Sequence, residues 1–403
     1  MVCVMANIND SLAVKPKSKR IFYFDALRAM AIIAVIVIHV FSETMVLFKY
    51  GQLPFHSGGW LFEDVLGVCF RFGVDLFLML AGALSLGRDW DIKTFLGKRL
   101  PRIVIPFLFW GFVLSSLLLI FTVVFPDFYW LHDQIAGFLS PVGFLKTLYL
   151  FYMAKAICSA PYWFFWMILG TYLIMPIFNK WVANSDMGEL EYFLVFWLIT
   201  CIFDYTLGFP FPVKLTYFVS PIGLVVLGYY LRYTERDILN NPYFAVFLIL
   251  ASAITMVAIS YFYSVPTKFY TFDRYSIFMS LEVIGVFLLF KNAGKFNIHL
   301  NFFENPEGIF RKSAFALAKY SYGIYLIHAF IVVLLVKLLF QFHVYAMMPI
   351  ELFIIMVLVL TIVIAVLAMA ILSRIPYIGG CPVLVIGKGI NNDRNTVRSV
   401  SLI

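Results

Sequence analysis

Charge is what this chain has least of. Of 403 residues, 13% are Asp, Glu, Lys or Arg, while 63% are hydrophobic; soluble domains usually hold about 25% charged and about 45–50% apolar residues. The shortage excludes an ordinary soluble globule and implies an integral membrane protein. Cysteine is also scarce. The five (Cys3, Cys69, Cys158, Cys201 and Cys381) show no paired metal or redox spacing, so they read as packing residues. Six histidines, His39, His56, His132, His299, His328 and His343, are scattered without ligand spacing, and no metal site is expected. No cleavable signal peptide is expected, because the first apolar run is too long and lacks a small-residue cleavage site. No strong internal repeat is present, which counts against an inverted-repeat transporter.

What the chain has in quantity is apolar runs and aromatic rings. It carries 45 Phe and 23 Tyr, which suit lipid-facing surfaces and interfacial belts. A spanning helix needs about 20 mostly apolar residues. Ten stretches qualify: 22–45, 65–86, 102–125, 161–182, 191–208, 215–232, 243–263, 274–291, 320–340 and 349–373. The segment 127–160, broken by Pro141 and Gly143, reads as an outer loop with an interfacial helix. The fold class expected is all-α, a polytopic membrane protein with a transmembrane domain over 21–375 and short tails at 1–20 and 376–403.

The net charge of +8 is read as loop charge rather than a nucleic-acid surface, because of where it falls. Lys15, Lys17, Lys19 and Arg20 precede the first span. Arg88, Lys93, Lys98, Arg99 and Arg102 lie between the second and third, and Arg232 and Arg236 follow the sixth. Lys291, Lys295, Arg311 and Lys312 lie between the eighth and ninth, and Arg374, Lys388, Arg394 and Arg398 follow the tenth. With ten spans all five groups fall on one side, which the positive-inside rule makes cytoplasmic along with both termini.

Against this apolar background, a few charged residues lie inside spans. The stretch "DALRAMAIIAVIVIHVF" holds Arg28 and His39, eleven positions apart. Eleven residues turn about 20° beyond three full turns and rise about 16 Å, so both sit on one helix face. Ionisable groups at that depth normally look into a polar interior. The simpler alternatives are snorkelling for Arg28 and an inter-helix hydrogen bond for His39. "FRFGVDLFLMLAG" holds Arg71 and Asp75, spaced to share a helix face and to form a structural ion pair. "FMSLEVIGVF" holds Glu282, and "SYGIYLIHAF" holds His328 with Tyr322 and Tyr325. These last two also fit plain helix pairing. Polar groups on several separate spans nonetheless imply one shared hydrophilic interior, as a membrane enzyme or a transporter needs.

A further pair lies at the surface. In "GKRLPRIVIPFLFW", Arg99 and Arg102 are three apart just before an apolar run, with Pro101 suited to a first helical turn. Arginines at a helix start favour phosphate, although ordinary cytoplasmic loop charge explains them as well.

Taken in order, these stretches resemble the acyltransferase 3 family of membrane-bound O-acyltransferases. "FDALRAMAIIAVIVIH" is similar to its first helix, which carries an arginine, ten residues, then a histidine, here Arg28 and His39. "RLPR" resembles its Arg-x-x-Arg motif, here Arg99 and Arg102. "FGVDLFLMLAGAL" resembles its second-helix signature, including Asp75, and "YWFFWMILGTYLIMPIF" and "SYGIYLIH" resemble its fourth and late helices. The likeness runs from about 21 to 375. Where the family often has Ser-Gly, this chain has Ala81-Gly82, and no hydrolase-like C-terminal domain is expected.

The resemblance implies transfer of an acyl group, commonly acetyl, from cytoplasmic acyl-CoA to a sugar hydroxyl of a cell-surface or exported glycan or glycolipid. Acetyl-CoA is then the donor substrate, with no permanently bound cofactor, in a multi-pass protein of the cell membrane. Arg99 and Arg102 suit the donor's phosphates. Neutral imidazole suits removal of the hydroxyl proton, so His39 is the candidate base or acyl carrier. Arg28 would hold the donor or stabilise developing charge. Asp75, Glu282 and His328 complete the candidate catalytic set. The competing reading is a transporter or flippase for a lipid-linked glycan, which needs the same polar interior but no basic prong for CoA phosphates.

Overall fold

A computed structural model of the protein describes residues 21–45, 56–125, 140–208, 216–263, 272–296 and 308–374, with 216–220 described by backbone only. The expected tails at 1–20 and 376–403 lie outside the described residues. So do Cys3, Cys381, His132 and His299.

Twelve α-helices are present among the described residues: α1 Phe22–Thr44, α2 Gly58–Cys69, α3 Gly73–Ser85, α4 Ile92–Val124, α5 Pro141–Tyr152, α6 Trp163–Asn184, α7 Met187–Ile202, α8 Thr216–Tyr233, α9 Pro242–Tyr263, α10 Ile277–Lys291, α11 Ile309–Gln341 and α12 Ile350–Leu372. No strand occurs among them. Eight helical stretches are long and apolar enough to cross a membrane. This is the expected all-α polytopic membrane protein.

α1 is the axis of the bundle. Its 23 residues reach about 34 Å, enough for a hydrocarbon core about 30 Å thick. It is apolar on most sides, and such a helix is buried rather than lipid-facing. α11 packs along it, with α3, α12, α2 and α10 around it. The α3–α8 contact is set by two glycines facing opposite ways. A Cβ on Gly82 would fall 1.8 Å from the Val225 carbonyl oxygen, and one on Gly228 2.0 Å from that of Met79. Only bare backbone allows this approach, the usual device where helices meet in lipid.

Four element boundaries differ from the sequence expectation. The second span is two helices, α2 and α3, with Phe70–Phe72 outside both. Arg71 lies in that break, so it does not share a helix face with Asp75. The third span starts ten residues early, at Ile92, where Asp91 accepts a hydrogen bond from the Thr94 backbone N–H. Pro101 therefore sits inside a 33-residue helix instead of opening it. The ninth span likewise starts early, at Ile309.

The eighth starts late. Ser276 caps α10, accepting from the Met279 N–H. α10 thus has 15 residues, about 22 Å, and Arg274 precedes it. With the 18-residue α8, α10 occupies a position where a span was expected without being among the eight. In the expected outer loop, α5 begins with Pro141 at its first turn, where the missing N–H is harmless. Residues 126–139 of that loop lie outside the described residues.

Candidate active site

The break between α2 and α3 positions the candidate site. Interrupted helix leaves backbone groups without intrahelical partners, and at membrane depth this is tolerated only where the backbone is buried in protein or lines a cavity. A cavity of about 200 Å³ lies there. Its wall includes His39 from α1, Arg71 from the break, Trp163 from α6, Arg274 from before α10 and Tyr325 from α11.

His39 is half-buried and opens to this cavity. Behind it lies His328, fully buried, with ring centroids 4.9 Å apart. His328 Nδ1 contacts the Tyr325 backbone carbonyl at 2.6 Å. A carbonyl only accepts, so Nδ1 carries the proton and the neutral ring keeps Nε2 as an acceptor. Nε2 has no hydrogen-bond partner among the described residues. Tyr325 itself is held by its hydroxyl, which donates to the Pro161 carbonyl. α1 and α11 thus bring together two imidazoles that are 289 positions apart in the chain.

The other sequence candidates are distributed as follows. Asp75 is 1% exposed in the first turn of α3, and its Oδ1 has no hydrogen-bond partner among the described residues. The cations that act on it most are Arg274 and then Arg71. Glu282 is 2% exposed on α10, with Oε2 likewise unpartnered, and is not on the cavity wall. Arg28 is not on that wall either; it pairs with Asp25 one turn earlier at 3.8 Å.

Arg99 and Arg102 lie on the part of α4 preceding the expected span. Arg102 is exposed. Arg99 donates from Nη2 to the Ser85 hydroxyl at 3.0 Å. Around it is a cluster the sequence reading registered only as loop charge. Arg232 donates to the Ala83 carbonyl at 2.5 Å, and its guanidinium lies over the Phe24 ring at 5.1 Å. Arg88 is fixed through its backbone, which exchanges hydrogen bonds with the Asn179 amide. Partial burial pulls the Arg88 guanidinium below its ordinary pKa, and Arg232 and Arg99 push it the same way. Like charges gathered in this way favour an anion.

The basic rim and the cavity lie at opposite ends of the same helices. α6 has Trp163 at the cavity and Asn179 at the rim, sixteen residues or about 24 Å apart. α3 runs from Gly73 on the cavity wall to Ser85 beside Arg99. α10 follows Arg274 and ends at Lys291, which donates to the Leu231 carbonyl next to Arg232 at 2.7 Å. No group of three or more His, Cys, Asp or Glu placed to hold a metal ion occurs among the described residues.

Sequence reasoning missed Arg274 and Trp163. Arg274 looked like the first residue of a span, and only the Ser276 cap removes it from the helix. Glu63 was missed too: α2 begins early enough to bury it fully, with both carboxylate oxygens unpartnered among the described residues.

No characterised protein and no solved structure matches the chain. A family profile described as an acyltransferase domain matches residues 21–370, nearly the whole of the helical bundle. The chain belongs to the acyltransferase 3 family.

Proposed function

We propose that this membrane acyltransferase takes acetyl from cytoplasmic acetyl-CoA and esterifies a hydroxyl of a cell-surface or exported glycan or glycolipid. The observation that carries the reading is the separation just described. A guanidinium cluster suited to the donor's phosphates lies at one end of α3 and α6, and an imidazole open to a cavity lies near the other. α1 connects the two ends.

In this reading His39 accepts the acceptor's hydroxyl proton as that oxygen attacks the thioester carbonyl carbon. The carbon–sulfur bond breaks, and CoA leaves as a thiolate that takes the proton back from the imidazolium. The products are the acetyl ester and CoA thiol. A two-step route through an acyl-histidine has the same balance. The carbonyl oxygen gathers negative charge on the way, and a cation on the donor side, for which Arg28 is the candidate, stabilises it. Arg99, with Arg102, Arg88 and Arg232, holds the donor from the cytoplasmic face, and Arg28 lies between that face and the reacting atoms.

The test is acetyl transfer by purified protein. CoA thiol should appear only when a glycan or glycolipid fraction accompanies acetyl-CoA, and mass spectrometry of the host's surface glycans should show one acetyl increment lost when the gene is deleted. Unchanged glycans together with no acceptor-dependent CoA release would rule the reading out.

A further inference from the structure

We infer that the cavity beside His39 is an oxyanion-binding subsite for the acceptor, so that the glycan or glycolipid modified carries a carboxylate or phosphate close to the acylated hydroxyl. The inference rests on the acyl-transfer reading and deepens it.

Two guanidiniums line the cavity, Arg71 and Arg274. Arg71 is anchored from the helix break by donating to the Phe272 carbonyl. Arg274 is the more telling of the two. Its guanidinium lies 3.9 Å from the centre of the Trp163 ring. Contact over the ring face engages the flat side of the guanidinium and leaves its in-plane N–H groups available. Among the described residues Arg274 makes no hydrogen bond and no ion pair. A planar donor fork fixed against an aromatic wall is the arrangement that takes an oxyanion bidentately.

The charge balance points the same way. Asp75 is the buried carboxylate near both arginines, and one carboxylate offsets one of two cations. Asp273 is exposed, and solvent screens it. A positive remainder is left on the wall that His39 shares. The donor's phosphates do not account for it, because the rim suited to them is at the far ends of α3 and α6.

An anion-bearing acceptor and a neutral one are separable by experiment. Purified full-length protein in nanodiscs receives radiolabelled acetyl-CoA and the glycans and lipid-linked glycans extracted from host membranes, split by anion exchange into neutral and acidic fractions. Label should enter the acidic fraction. Arg274→Gln should raise KM for that fraction by about tenfold or more, as loss of a charge-assisted hydrogen bond does, with kcat little changed. Arg274→Lys, which keeps the charge but not the planar fork, should fall between and guards against a misfolded Gln variant. Carboxyl reduction that abolishes labelling assigns the anion to an acidic sugar; dephosphorylation that abolishes it assigns a phosphate. Label in the neutral fraction, label resistant to both treatments, or an unchanged KM in both variants overturns the subsite. Absence of label from both fractions is a different result: it removes the acyl-transfer reading itself, and the subsite with it.

Discussion

His39 and His328 show why a residue's chemistry is set by its neighbours. Both are imidazoles in apolar helices, yet only His39 faces the cavity, while His328 is fixed by the Tyr325 carbonyl with Nε2 directed away from that bond. Substituting His39 therefore tests proton removal with little disturbance of packing. His39→Gln keeps a hydrogen-bonding side chain without basicity. A positioned general base contributes about 10²–10⁴ in rate, so kcat should fall by about that factor while Kd for acetyl-CoA is unchanged. Stopped-assay kinetics and calorimetry on the same preparation decide it. Near-normal turnover in the Gln variant would reduce His39 to a structural partner of His328.

Helix by helix, the sequence showed which elements exist better than where they end. Apolar run length found all eight of the membrane-crossing stretches and also counted α8 and α10, and motif order placed Arg28 and His39 on α1 but Arg99 and Arg102 just ahead of the span they belong to. The boundaries depended on single polar caps that hydropathy does not weigh: Asp91 extends α4 backward past Pro101, and Ser276 holds Arg274 out of α10. The break at Phe70–Phe72 is flanked by Gly67 and Gly73, but glycines are common in apolar helices, so run length alone did not announce it. Arg274 and Trp163 are brought together only by tertiary packing, and the Arg88–Arg99–Arg232 cluster joins three separate segments. The α3–α8 contact was similarly hidden, since glycines in apolar helices are common. Gly228→Ala should drive a methyl into the Met79 carbonyl and part the two helices. Overpacking of this kind typically costs about 1–3 kcal/mol, read as a lower unfolding midpoint in detergent. Gly82→Ala should do the same. Because one separation accommodates both methyls, the double variant should lose less than the sum; full additivity would mean the helices adjust independently at each site.

For the molecule as a whole, the two ends of the bundle carry different chemistry, and the proposed orientation and division of labour rest on that difference. The positive-inside rule predicts that the rim faces the cytoplasm. In a background lacking the native cysteines, an impermeant maleimide should label Val142→Cys, 78% exposed on α5, in intact cells. Lys98→Cys, exposed on α4 beside the rim, should label only after permeabilisation, and the reverse pattern would invert the protein. With that orientation, donor binding and transfer should come apart by mutation. Arg99 touches Ser85 at the end of α3 and lies far from His39, so Arg99→Gln should weaken acetyl-CoA binding by about tenfold, the size of one charge-assisted hydrogen bond. Turnover at saturating donor should stay close to that of the unsubstituted protein. Because the rim is partly exposed, its attraction for phosphates is screened over about 8 Å at physiological salt. Raising salt should therefore weaken donor binding in the unsubstituted protein more steeply than in Arg99→Gln, while the defect of His39→Gln should be insensitive to salt. If Arg99→Gln instead lowered kcat and left both Kd and its salt dependence unchanged, the rim would be a topology signal, and the donor's phosphates would have to be held elsewhere on the cytoplasmic face.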